Sequence, residues 1–454
     1  MDNNITTAYC AQKGRENLTY EDRISALEAL ESEIRARESE ILAALKADLN
    51  KSSFESYLSE IDFCLHEIKL MKKKLKKWMK PKRVLSPLPF MPARSEIHYE
   101  PYGQVLVIAP WNYPFQLAIV PLIGAIAAGN KVIVKPSEMA PATSKIIDDV
   151  ITSALDSEIA AVIEGGIEET TELLNLKFDY IFYTGNGHVG RIIMAAAAKN
   201  LTPLTLELGG KSPAIVTTKN IDLAAKRIVW GKFFNAGQTC VAPDYILINK
   251  RDEDRFIAAS KKYLTQFYSE EIKRSGDYGR IINERHFDRL SALIDKDSVL
   301  IGGDVDKEEL YISPTYVRAD KDSAIMKDEI FGPLLPIVYS DNLEESIEFV
   351  KSYDKPLACY AFVDSNGDKK KVIESISSGG MVINDTIVHL SNEKLPFGGV
   401  GESGMGAYHG EFSFKLFSHE KAVMKRSFCL ENDLRYPPYE KKVSLVRKIM
   451  NLLS

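Results

Sequence analysis

QVLVIAPWN, residues Gln104–Asn112, decides the fold: an unbroken apolar run from Val105 to Ala109 breaks into a Pro-Trp-Asn turn. Strands buried on both faces of a parallel sheet read this way, as continuous runs rather than alternating patterns. KVIVKPSE (Lys131–Glu138), FDYIFYTGNG (Phe178–Gly187) and PLTLELGG (Pro203–Gly210) repeat the form, each ending in small or polar residues. A second set, YILINK from Tyr245, LPIVYS from Leu335, ACYAFV from Ala358 and MVINDT from Met381, marks another unit beginning near residue 208. Helical stretches separate the runs, so the chain is read as α/β with mostly parallel sheets. Ligands in such sheets bind beyond the carboxyl ends of the strands, and the loops there are where chemistry is expected.

A chain of 454 residues, 45% of them hydrophobic, is long enough to bury a large core and to divide into two or three domains. Its net charge of -5, with acids and bases mixed, lacks the strong positive field of a nucleic-acid binder. MDNNITTAYC has neither a basic start nor an apolar core, so no secretory signal is read. AIVPLIGAIAAG, from Ala118, is the longest apolar candidate and is too short to span a bilayer. These features point to the cytoplasm. Cys10, Cys64, Cys240, Cys359 and Cys429 are odd in number and lack CxxC spacing, which fits reduced thiols better than disulfides or zinc. The histidines form no HxxxH pair, and no metal is expected.

Residues 20–49 give the clearest helix, with Ile24, Leu27, Leu30, Ile34, Ile41, Leu42 and Leu45 at three- and four-residue steps and Thr19 with Asp22 as a capping pair. A basic helix, LMKKKLKKWMKPKR, should end near Lys80, before Pro81. It is read as a solvated face with Leu70, Leu75 and Trp78 inward, against the alternative of an anionic-membrane patch.

Gly185-Asn-Gly-His-Val-Gly190 matches GxGxxG after a strand and before a helix, a weak signal taken alone. The customary acid about 20 residues on would be Glu207. Cys240, in FNAGQTCVAP, is either a small core hydrophobe, as free cysteines usually are, or a nucleophile.

Order along the chain resolves both questions. PWNYPF (Pro110–Phe115), KPSE, YTGNGHVG, LELGGKSP, FNAGQTC, EIFGP (Glu329–Pro333) and PFGGVGESGMG (Pro396–Gly406) follow one another over some 300 residues. Together they closely resemble the aldehyde dehydrogenase superfamily. The C-terminal PFGGVGESGMGAYHG, HEKAVM and RYPPY resemble its class 3 branch, which includes fatty, aromatic and medium-chain aldehyde enzymes. The resemblance implies an aldehyde dehydrogenase-like α/β fold with three parts. These are a Rossmann-type cofactor domain (1–80 and 100–206), an α/β catalytic domain (208–407) and a bridging or oligomerisation element (81–99 and 408–454). It also implies a homodimer.

It further implies oxidation of an aldehyde to the acid. Cys240 would add to the carbonyl, since even a small thiolate fraction is an efficient nucleophile. Asn112 and the Cys240 N–H would stabilise the oxyanion, and Glu207 would activate the hydrolytic water, with Glu329 as a second candidate base. Lys135 and Glu138 would hold the adenosine ribose, favouring NAD while admitting NADP. Gly185, Asn186, Gly190, Leu208 and Gly209 would line the cofactor site, and Glu329 and Phe331 would meet the nicotinamide ribose. Asn186 and Tyr183 depart from the commonest family pattern of serine and phenylalanine. Tyr113, Phe115 and Phe233, with Tyr408 and the tail, are candidates for an apolar substrate tunnel.

Three rivals are a CoA-acylating relative, which has no need of Glu207, a non-catalytic nucleotide-binding relative, and an alcohol or hydroxy-acid dehydrogenase using the literal GxGxxG. The tail from Tyr439 is amphipathic and is read as packing on its own subunit or partner, the alternative being a peripheral membrane contact or an entrance gate.

Overall fold

All four apolar runs that open the reading pair side by side in a six-stranded sheet. Its order is Gly404–Met405, Leu204–Glu207, Tyr180–Thr184, Gln104–Ile108, Lys131–Lys135, Ala160–Val162. Every pairing is parallel except that of Gly404–Met405, which runs antiparallel beside Leu204–Glu207. The computed structural model describes residues 4–14, 16–87, 90–431 and 433–453. The chain advances from Gln104–Ile108 outward to Ala160–Val162, then returns to the opposite side of the first strand. The crevice between Gln104–Ile108 and Tyr180–Thr184 is therefore a topological switch point.

The second set of runs forms a seven-stranded sheet, ordered Val299–Ile301, Thr315–Arg318, Leu334–Tyr339, Tyr245–Ile248, Pro213–Val216, Ala358–Phe362, Gly380–Ile383. Only its Val299–Ile301 edge is antiparallel. Both sheets lie in one compact unit, 1–78 with 101–418. A second unit, 79–100 with 419–454, holds a three-stranded sheet of Lys82–Val84, Ala93–Pro101 and Ser418–Arg426. Its surface exposes Leu85 and Phe428 fully.

The expected helix over 20–49 is two helices, Tyr20–Ala36 and Glu38–Leu49, broken at Arg37 (φ -104°, ψ 18°). Ile34 and Ile41, two turns apart, are both fully buried, so the apolar period passes over the break without registering it. Thr19 and Asp22 form the expected reciprocal cap. The basic helix runs Asp62–Trp78, with Leu75 buried and Leu70 and Trp78 half-buried. AIVPLIGAIAAG forms most of Gln116–Ala128, a helix whose every residue is buried. Among the described residues no helix is long and apolar enough to cross a membrane.

Candidate active site

Neighbouring strands of the first sheet end at the residues singled out above. Gln104–Ile108 leads to Asn112, Lys131–Lys135 ends on Lys135, Tyr180–Thr184 precedes Gly185, and Leu204–Glu207 ends on Glu207. Asn112 is buried, and its Nδ2 donates to the Gln238 carbonyl at 3.0 Å. This bond ties the switch-point loop to the segment that carries Cys240.

That segment has an unusual backbone. Asn235 (φ 52°), Ala236 (φ 51°) and Gly237 (φ 75°) are consecutive left-handed residues, a strain that persists only where surroundings enforce it. The enforcing contacts explain FNAGQTC letter by letter. Asn235 N–H donates to Glu55 at 2.5 Å, and Asn235 Nδ2 donates to the Asn112 carbonyl at 2.7 Å. A Cβ on Gly237 would overlap the Gly332 carbonyl. Gln238 donates through Nε2 to the Arg280 carbonyl (2.9 Å) and accepts Ile282 N–H (3.1 Å).

Cys240 is half-buried at the wall of a cavity of about 450 Å³ shared with Tyr113, Leu117, Trp230, Phe234 and Tyr408. Burial, then the nearby Glu329 and Glu207 carboxylates, push its thiol up to about 12. The resting sulfur is thus protonated. Tyr113 lines the cavity and shares a 2.7 Å hydrogen bond with Thr239. Phe115 and Phe233 are not among the lining residues. Phe115 is wholly buried, and Phe233, last in the helix Ile221–Phe233, points into the core against Tyr316. Phe234, where that helix ends (φ -55°, ψ 130°), takes the wall position instead and stacks on Tyr113.

Glu207 is buried, and neither carboxylate oxygen has a hydrogen-bond partner among the described residues. Burial alone holds its pKa well above the usual carboxylate range. Glu329 is pushed up to about 8 by burial and by Asp244, against the Gly210 N–H, Lys211 and Lys232. Lys211 donates to Asp244 at 2.5 Å. Lys232 is fully buried, its amine without a hydrogen-bond partner among the described residues, and burial lowers it to about 8. Lys211, Lys232 and Asp244 escaped the sequence reading; the available signal was a lysine flanked by apolar residues in VWGKFF.

Asn186 caps the helix Gly187–Ala198 by accepting Val189 N–H at 3.0 Å, and Gly190 packs on Leu208. His188 is exposed. Lys135 is buried, donating to the Pro136 carbonyl (2.6 Å) and to the exposed Glu138 (3.4 Å). Phe331, at φ 52°, meets Trp111 edge to face at 5.3 Å. Glu329 lies so close to Gly209 that a Cβ there would overlap both carboxylate oxygens. Gly209→Ala is accordingly expected to push the movable Glu329 carboxylate aside and, if that carboxylate holds the cofactor as the resemblance implies, to weaken cofactor binding about 10-fold, from the loss of a hydrogen bond to a charged group worth about 1.5 kcal/mol. Fluorescence titration with NADH checks this, and an unchanged Kd would refute it.

The model of the aldehyde dehydrogenase family matches residues 1–423. The 4,4'-diaponeurosporen-aldehyde dehydrogenase of Staphylococcus aureus (strain NCTC 8325 / PS 47) is 49% identical over 429 residues, 94% of either chain. Aldehyde dehydrogenase family 3 member H1 of Arabidopsis thaliana is 48% identical over 440 residues, covering 95% of this chain and 91% of that one. The solved substrate-bound state of Staphylococcus aureus AldH superposes with a TM-score of 0.96 at 47% identity, over 99% of this chain and 100% of that one.

Proposed function

Because this chain belongs to the aldehyde dehydrogenase family, among family 3 relatives, we propose residue roles for the oxidation of aldehydes to acids with NAD(P)+ that such enzymes perform. The observation that carries the reading is a cysteine on a cavity wall with the buried Glu207 and half-buried Glu329 carboxylates nearby.

Cys240 Sγ forms a bond to the aldehyde carbon as the carbonyl π pair moves to oxygen. Its thiol proton leaves first, to solvent through the cavity, and the desolvated Glu207 carboxylate, without a hydrogen-bond partner among the described residues, is kept for the hydrolytic step. An amide NH2 has two donors. One Asn112 N–H is fixed by the Gln238 carbonyl, which aims the other, with the Cys240 main-chain N–H, at the thiohemiacetal oxyanion. Losing such a donor typically costs ~10²–10³-fold in rate. A bound nicotinamide cofactor would supply the acceptor for the hydride of the former aldehyde carbon, and Cys240 would then carry a thioester. Glu207 then takes a proton from water as it attacks that thioester, freeing the acid and the thiolate. One aldehyde, one NAD(P)+ and one water give one acid, one NAD(P)H and a proton.

Lys135 and Glu138 hold the adenosine ribose, Gly185, Asn186 and Gly190 the pyrophosphate, and Leu208, Gly209, Glu329 and Phe331 the nicotinamide half. The Glu138 carboxylate disfavours a 2'-phosphate, so NAD is preferred and NADP accepted. Glu138→Gln should raise kcat/KM for NADP relative to NAD about 5-fold, the removal of ~1 kcal/mol of repulsion between solvent-exposed charges. An unchanged ratio would sink this assignment. The exposed apolar residues of the unit 79–100 with 419–454 support a homodimer, to be checked by light scattering. Five free thiols fit a cytoplasmic enzyme.

The cavity's apolar walls favour an apolar aldehyde, while Asp62, Glu67 and Glu393 along it oppose an anionic chain. CoA-dependent resolution is the second reading, and it leaves the buried Glu207 without a task. Intact-protein mass spectrometry of Glu207→Gln turning over an aldehyde tests the whole scheme: an acyl adduct on Cys240 is expected, and its absence alongside continued turnover would overturn it.

A further inference from the structure

The chain following the helix Glu38–Leu49 carries an ion pair with no exposure at all, Lys51 with Glu60. Such a pair is a costly thing to bury, and removing one partner is costlier still. Glu60 lies on the π-helical turn Tyr57–Ile61, which joins Ser53–Ser56 to Asp62–Trp78. Turns of this kind interrupt helices mostly at functional sites. Here the turn delivers a carboxylate to the interior, where Glu60 accepts Phe115 N–H at 2.9 Å and Gln116 N–H at 3.2 Å.

Both ions converge on the loop that bears the oxyanion donor. Lys51 Nζ donates to the Asn112 carbonyl at 3.0 Å and sits 4.0 Å over the Tyr113 ring. The same carbonyl takes Asn235 Nδ2, so one oxygen joins the buried ammonium, the switch-point loop and the left-handed turn before Cys240. Glu55, one turn from Glu60, holds the Asn235 N–H from the other side.

We infer that the Lys51–Glu60 pair is a positioning device for catalysis: it fixes the Asn112 main chain so that the side-chain amide meets the developing oxyanion. Lys51 touches neither aldehyde nor cofactor and acts through Asn112. The inference rests on the oxyanion role proposed above for Asn112.

A double-mutant cycle with stability readings tests it. Lys51→Met should lower kcat about 10- to 100-fold, the scale of a misplaced catalytic group, with KM for NAD+ unchanged and a lowered unfolding midpoint. Lys51→Met/Glu60→Gln removes both charges while keeping an acceptor for the Phe115 and Gln116 N–H groups. Its midpoint should return toward wild type while kcat stays low. In an Asn112→Ala background, which retains the main-chain carbonyl, Lys51→Met should cost less than about 2-fold. Recovery of kcat together with stability in the double variant would reduce the pair to a structural role and overturn the inference. Multiplying losses in the cycle would overturn it too, because Lys51 would then act by another route. Wild-type turnover in Asn112→Ala alone would remove the oxyanion assignment, and the inference with it, by a result distinct from the other two.

Discussion

Cys240→Ala is expected to abolish aldehyde-dependent NAD(P)H formation, lowering kcat by roughly 10⁴-fold or more, the scale seen when a covalent nucleophile is deleted. The reason is chemical rather than structural. Hydride cannot leave readily from a trigonal aldehyde carbon, and only addition of a nucleophile makes that carbon tetrahedral. No other cysteine lines the cavity, since Cys64 and Cys359 are buried and Cys10 and Cys429 are exposed elsewhere. The substitution removes one half-buried sulfur, so the unfolding midpoint should move little, and NADH binding should persist. NAD(P)H production at the wild-type rate would end the nucleophile assignment.

Glu207→Gln is expected to separate the two halves of the reaction. Acylation and hydride transfer should give a burst of NADH close to one per site, followed by turnover slowed ~10²–10⁴-fold, the contribution of a positioned general base. The pH profile carries the same information. Burial displaces the Glu207 carboxyl upward, and the base works only when ionised, so wild-type kcat should rise with pH through a value well above the ordinary carboxylate range. That limb should vanish in Glu207→Gln. Stability runs the opposite way. A folded-state pKa raised above the unfolded value contributes stability that is complete below about pH 4.3 and lost as pH rises through the folded value. Glu207→Gln should therefore melt higher than wild type at neutral and alkaline pH, with the gap closing toward pH 4. Unchanged steady-state turnover would place the base elsewhere, with Glu329 next.

Much of the site was legible in the sequence, because the strands that carry it are continuous apolar runs. A buried parallel strand must be apolar on both faces, so its end is easily read, and Asn112, Lys135, Gly185 and Glu207 stand at or just beyond such ends. The tunnel was read less well. Phe233 and Phe234 are adjacent and chemically identical, and only the packing at the end of their helix, Phe233 on Tyr316 and Phe234 on Tyr113, decides which one faces the core. Arg37 shows the same limit: an apolar period of two turns is preserved across a broken helix.

The sequence by itself determined the class of fold, the order of the strands along the chain and the residues able to do the chemistry, since these depend on residue type and local spacing. Tertiary structure alone decided that Cys240, Glu207 and Glu329 are all shifted upward, because desolvation is a property of the surrounding walls and of no residue singly. It also decided that Lys51, some 60 positions before Asn112, would hold that residue's carbonyl. A contact so far apart in sequence has no period or motif to announce it, and it exists only once the sheet and the helices before it have packed.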